Sequence, residues 1–151
     1  MSEVRLRPAG PEDAGTLRDI VRAAYARYVE RMGREPRPME QDYDAVVRDL
    51  DVTIAEADGA AVGLVALEDD PEEGLTVDNV AVHPDAWGRG VGRTLLLHAE
   101  AEARRRGHTS IRLYTHSTMT ENLAFYTRIG YVEYDRQAVD PGEVVFLRKP
   151  L

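Results

Sequence analysis

Apolar positions along the chain switch between two spacings, and the switches mark its elements. Residues 4–7 alternate apolar and charged as a short strand, closed by Pro8. From 11 to 32 the residues Leu17, Ile20, Val21, Ala24, Tyr25 and Tyr28 recur at helical spacing. Pro11 lies in the first turn of this helix, and Glu12 and Asp13 sit at its positive dipole end. "GREPRP" at 33–38 stops it with two prolines, and "MEQDYDAVVRDL" at 39–50 predicts a second helix. Two apolar runs, 51–57 and 60–68, flank Asp58–Gly59, a dipeptide that favours a two-residue hairpin turn. The acidic loop "EDDPEEG" at 68–74 leads into a strand at 75–82. Residues 93–106 form a helix ending at Gly107, with arginines in its last turn. A strand at 111–115 follows. The next helix runs to Ile129 and is entered through Thr118 and Glu121, which have capping-box spacing. Strands at 131–136 and 144–149 finish the chain. The order β-α-α-β-β-β-α-β-α-β-β predicts a mixed α/β sheet with helices on both faces.

Bulk properties narrow the functions. With 151 residues, 43% apolar and 30% charged, the chain suits one globular domain over 1–151. It contains no cysteine, which excludes a disulfide framework, a cysteine nucleophile and a cysteine metal site. The opening "MSEVRLRPAG" lacks an apolar signal core, and no run approaches the ~20 apolar residues of a membrane span. The expectation is a cytoplasmic protein with no membrane partner. A formal net charge of −8 argues against nucleic-acid binding, which needs an excess of Lys and Arg, and the overall field suits a cationic partner.

The chemistry concentrates at "VAVHPDAWGRGVGRT", residues 80–94. Gly88, Gly90 and Gly92 alternate between a strand and a helix start. A dinucleotide fingerprint would need G-x-G-x-x-G tightly after the first strand, whereas here the strand is the fourth and five residues precede Gly88. A phosphate loop of an NTPase would need one more residue and a lysine at Arg93. What fits is a set of backbone N–H groups converging on an anion at a helix N-terminus, a pyrophosphate for example, with Arg89 and Arg93 adding charge.

These residues resemble the acetyl-CoA-binding motif of the GCN5-related N-acetyltransferases, the GNAT family. "VRLRPAGPEDA" resembles the opening strand and helix entry of that family, and "ENLAFYTRIGYVEYDR" at 121–136 its closing helix and strand. The resemblance implies a mixed, mostly antiparallel sheet of six to seven strands, splayed between the fourth and fifth. It implies acetyl-CoA as cosubstrate, bound by Gly88, Arg89, Gly90, Val91, Gly92, Arg93 and Thr94 at the pyrophosphate. Val80, Ala81 and Val82 would pair with the pantetheine arm, and Tyr126 would be the general acid. Two positions depart from the pattern. Trp87 stands where Gln or Arg is usual, and Met119 where an Asn is common; Asn122, one helical turn before Tyr126, is the replacement cofactor contact.

An amine acceptor is mostly protonated at neutral pH, so a base is useful. Asp78 lies where many relatives carry a glutamate, and His116, just past a strand, is a second candidate; imidazoles titrate near neutrality. His83, His98 and His108 lack metal-ligand spacing, and no metal is expected. The segment 25–43 carries Tyr25, Tyr28, Met39 and Tyr43 around a proline-stiffened loop. Such side chains suit an acceptor pocket, with 33–43 as its lid and Met39 and Tyr43 at i, i+4 spacing facing the acetyl group. The expected acceptor is a small-molecule amine. A homodimer, a catalytically silent acyl-CoA-binding module and a P-loop-like nucleotide binder stay open.

Overall fold

The computed structural model describes residues 3–151. Seven strands form one sheet: β1 (Val4–Pro8), β2 (Asp51–Ala57), β3 (Ala60–Asp70), β4 (Gly74–Val82), β5 (Ser110–His116), β6 (Val132–Ala138) and β7 (Glu143–Pro150). Their order is β1-β2-β3-β4-β5-β7-β6. Every neighbouring pair is antiparallel except β4 and β5. The helices are α1 (Ala14–Met32), α2 (Arg37–Glu40), α3 (Tyr43–Asp49), α4 (Val91–Arg105) and α5 (Thr120–Arg128).

Both faces of the sheet are covered, which is why β2 and β3 read as nearly continuous apolar runs. Ile54, Leu64 and Ala66 pack with Leu17, Ile20, Val21 and Tyr28 of α1. Ala55, Val65 and Leu67 point the other way, to Leu95, Leu96 and Ala99 of α4. Asp58 and Gly59 both take positive φ, 53° and 78°, as the expected hairpin turn requires.

Four local expectations change. The stretch 39–50 is two short helices, because the Asp42 side chain accepts from the amides of Asp44 and Ala45 (3.0 and 3.4 Å) and starts α3 afresh. The helix expected from 93 begins at Val91, directly after Gly90. β3 and β4 extend into the acidic loop, leaving only 71–73 outside them. The capping box at Thr118 and Glu121 does not form: Thr118 turns to His116, Glu121 to Arg31, and the N-cap of α5 is Met119.

The sheet parts where the site lies. β4 and β5 pair only through Leu75–Ile111, Thr76–Arg112 and Val77–Leu113. Beyond Val77, β4 keeps only β3 and β5 keeps only β7. Opposite β3 the register jumps from Val77–Leu67 to Asn79–Ala66, so Asp78 is the extra residue of a β-bulge. Such bulges bend a strand and re-aim a side chain.

Candidate active site

Two cavities meet in the splay. An outer cleft of about 470 Å³ lies between α1, the end of β4, the start of α4 and α5. An inner cavity of about 270 Å³ lies between β4, β5, the loop before α2 and the β6–β7 turn. Tyr25, Val80, Asn122 and Tyr126 line both. A reaction joining two molecules, one in each cavity, would take place beside these four residues.

The outer cleft is built around free backbone donors. Gly88 and Gly90 take φ of +80° and +77°, a region costly for residues with a Cβ, and so turn the chain into α4. Thr94 is the first residue of α4 bonded back, its amide and its hydroxyl both donating to the Gly90 carbonyl at 3.0 Å. No side chain caps the helix. The amides of Val91, Gly92 and Arg93 therefore precede the first helical bond, at the positive dipole end. Gly92 is different: its φ is not positive, and a Cβ there would make ordinary contact, 3.6 Å, with the Phe125 ring. Nothing in the protein itself demands glycine at 92, but an anion approaching the backbone would.

Trp87 fills the departure from the family pattern in an unforeseen way. Its indole N–H donates to the Val82 carbonyl at 2.7 Å, and the Arg27 guanidinium stacks 4.4 Å from its ring. Arg31 then forms a two-pronged ion pair with Glu121 (2.6 and 2.7 Å), linking α1 to α5 beside the cleft.

In the inner cavity, Asp78 is the central group. Its side chain is 6% exposed. Oδ1 accepts from the Tyr114 hydroxyl (3.1 Å) and from Arg37 (3.5 Å), and Arg37 also donates to that hydroxyl. Oδ2 is buried with no partner. Burial, then the Asp78 charge, raises the Tyr114 phenol above its usual range. Next along β4, Asn79 is buried and accepts from Tyr25 at 2.8 Å; its amide donates to Tyr43 at 3.4 Å. Tyr43 in turn donates to the Pro38 carbonyl at 2.6 Å, fixing α2, whose Arg37 and Pro38 wall the cavity.

Tyr126 comes from α5, packed edge-on against Tyr131 (6.0 Å) and tilted against Phe125 (5.6 Å). Desolvation raises its phenol well above the ordinary value, so it carries its proton throughout the neutral range.

The mixed seven-stranded sheet with its single parallel pair, β4–β5, agrees with the folds of known proteins. A family model described as the acetyltransferase (GNAT) family matches residues 16–131. The chain belongs to the GNAT family of acetyltransferases. It is 25% identical over 151 residues to the spermidine N(1)-acetyltransferase of Thermoplasma acidophilum, covering 91% of this chain and 93% of that protein. It is 34% identical over 145 residues to the mycothiol acetyltransferase of Tsukamurella paurometabola. That match covers 85% of this chain and 48% of the relative, so the chain spans about half of that protein. In fold it matches the PaiA N-acetyltransferase of Thermoplasma acidophilum, solved in complex with coenzyme A, with a TM-score of 0.82 over 99% of both chains at 19% identity.

Within this GNAT domain the residues singled out from sequence sort by place. Val80, Ala81, Val82, Gly88, Gly90, Val91, Gly92, Arg93, Asn122 and Tyr126 line the outer cleft. Arg89 instead points to Asp58 (3.7 Å), and the Thr94 hydroxyl is turned into its own helix. Asp78 and His116 both line the inner cavity. Both ring nitrogens of His116 are engaged: Nε2 donates to the Pro141 carbonyl (2.6 Å) and Nδ1 accepts from the Thr118 amide (3.1 Å).

Of the expected acceptor residues, only Tyr25 reaches the inner cavity. Tyr28 faces the outer cleft, where Arg27 donates to its hydroxyl at 2.9 Å. Met39 and Tyr43 sit on different helices, so their spacing does not put them on one face, and Tyr43 is 1% exposed in the core. Sequence reasoning missed Asn79, Tyr114, Arg34 and Arg37. Only the proline-rich loop carrying the two arginines offered a signal.

Proposed function

We propose that this GNAT domain transfers the acetyl group of acetyl-CoA to a primary amine of a small-molecule or amino-acid-like acceptor, by direct attack within a ternary complex. The observation that carries the reading is the wall shared by the two cavities, with Tyr126 on it and Asp78, one of its carboxylate oxygens unpartnered, lining the inner one. The outer cleft fits the cosubstrate: free amides at 91–93 and the absent Cβ of Gly92 suit a pyrophosphate, and β4 beyond Val77 has an edge unpaired with β5 for an extended arm. The acetyl thioester supplies the activated acyl group when bound.

Asp78 takes a proton from the acceptor's ammonium, freeing the amine to attack, and the buried Tyr126 phenol gives a proton to the departing sulfur. Backbone N–H groups of β4 at the splay would stabilise charge on the carbonyl oxygen. The chain has no cysteine to carry an acyl group, in keeping with direct transfer. The test is acetyl-CoA-dependent CoA release over a panel of amines, with both substrates varied. Intersecting initial-velocity lines support the proposal. Acetyl-CoA binding without turnover on any amine would make the domain a silent acyl-CoA binder.

A further inference from the structure

The inner cavity is lined by more positive than negative charge, opposite in sign to the chain. Its charged side chains are Arg34, Arg37 and Asp78, while the chain carries a formal −8. Arg37 is held by Tyr114 and Asp78 Oδ1. Arg34 is exposed at the mouth and has no ion pair or hydrogen bond among the described residues. Asp78 Oδ2, inside, is buried and also unpartnered. Apolar walls from Met32, Pro36, Val139 and Val144 complete the space. One small cavity thus has a free arginine, an apolar lining and, in its wall, the Asp78 carboxylate with one oxygen unpartnered.

We propose that the acceptor is an amino acid with an apolar side chain, selected by Arg34 through its carboxylate while its ammonium meets Asp78 Oδ2. The inference rests on the acetyltransferase reading above and narrows its acceptor. A carboxylate is the planar, two-pronged partner that a guanidinium favours. A buried carboxylate oxygen without a partner is costly, and an ammonium relieves it. A polyamine, by contrast, would add positive charge to a lining that already has an excess. The volume of about 270 Å³ also suits a compact molecule, just below the roughly 300–1,000 Å³ of common ligand sites. In the reaction the amine nitrogen bonds to the acetyl carbonyl carbon and the carbon–sulfur bond breaks. Of the two protons the ammonium loses, one leaves through Asp78, and the thiolate takes up one from Tyr126, which the other restores.

The test compares kcat/KM for leucine, methionine and phenylalanine with that of their decarboxylated amines, and with putrescine and spermidine. Wild type, Arg34→Ala and Arg34→Lys are measured. The expected wild-type preference for each amino acid over its amine is about tenfold or more, the scale of one charge-assisted contact. Arg34→Ala should bring that ratio near one, and Arg34→Lys should keep part of it. A wild-type ratio near one, a ratio that survives Arg34→Ala, or a preference for putrescine or spermidine overturns the proposal alone. Failure of every acceptor, with acetyl-CoA still bound, overturns the acetyltransferase reading and this inference together.

Discussion

Tyr114 donates a 3.1 Å hydrogen bond to Asp78 Oδ1, and the two are the first residues beyond the last backbone pair of β4 and β5. A side-chain bond thus continues the contact between strands just where their backbones separate. It holds the Asp78 carboxylate at the bulge with one oxygen engaged and the other buried without a partner.

If that oxygen takes the acceptor's proton, Asp78→Asn should lower the acceptor kcat/KM at pH 7 by about 10²–10³. The deficit should shrink as pH rises toward the amine's own pKa, because the free amine no longer needs a base. His116→Ala should act differently. Losing its bond to Pro141 should lower Tm without changing the shape of the pH–rate profile. Profiles of both variants between pH 6.5 and 9.5 check this; an Asp78→Asn deficit constant across that range contradicts the base role.

Gly92→Ala separates the cofactor's demand from the fold's. Its Cβ meets only ordinary contact at 3.6 Å from Phe125, and alanine favours a helix over glycine by up to about 1 kcal/mol. Stability should hold or rise while acetyl-CoA affinity falls about tenfold or more by calorimetry. Gly90→Ala, at φ +77°, should instead cost about 1–2 kcal/mol of folding stability. Wild-type affinity in Gly92→Ala contradicts the pyrophosphate placement.

Much of this arrangement was legible in the chain. The succession of strands and helices along the chain, the hairpin at Asp58–Gly59 and the glycine-started helix follow from local spacing and turn chemistry, which act over a few residues. Partnerships set by the tertiary fold were not. Tyr114 is 36 residues from Asp78, and Tyr25 is 54 from Asn79. No periodicity in either segment signals that the strands carrying them part at Val77. The break between α2 and α3 was hidden by the helical spacing of 39–50: the two amide bonds to the Asp42 side chain that start α3 afresh emerge only in three dimensions. Glu121 shows the reverse case, a plausible local cap captured by Arg31, 90 residues away.

Tyr43→Phe removes the hydroxyl that joins Asn79 to Pro38. One net hydrogen bond is worth about 0.5–1.5 kcal/mol, so stability should fall on that scale. The α2 wall of the inner cavity loses its tie, and the acceptor KM should rise severalfold with acetyl-CoA affinity unchanged. Denaturant unfolding and two-substrate kinetics check both parts. An acceptor KM equal to wild type would limit Tyr43 to core packing.

Asp13 tests the electrostatics of the fold away from the site. Hydrogen bonds from Arg7 (2.9 and 3.0 Å), then from the Gly10 amide (2.8 Å), hold its carboxyl below the ordinary carboxylate range. A carboxyl lowered in the folded state stabilises above its unfolded pKa near 3.9, and that stabilisation is lost as pH falls through the folded value. Asp13→Asn should therefore cost about 1 kcal/mol at pH 6, with the difference from wild type vanishing in strong acid. Thermal unfolding at pH 6 and pH 2.5 measures this, and an equal difference at both contradicts it.

The most direct measurement is the rate of the chemical step in Tyr126→Phe, followed by single-turnover acetyl transfer from pH 6.5 to 10. Tyr126 stands on the wall common to both cavities, and burial raises its pKa, so the wild-type enzyme should keep its proton donor and show no alkaline loss from this group below pH 10. The substitution should slow transfer by about 10²-fold at every pH while leaving the acetyl-CoA KM nearly unchanged. A transfer rate equal to wild type would reduce Tyr126 to a packing residue and remove the junction of the two cavities as the place of reaction.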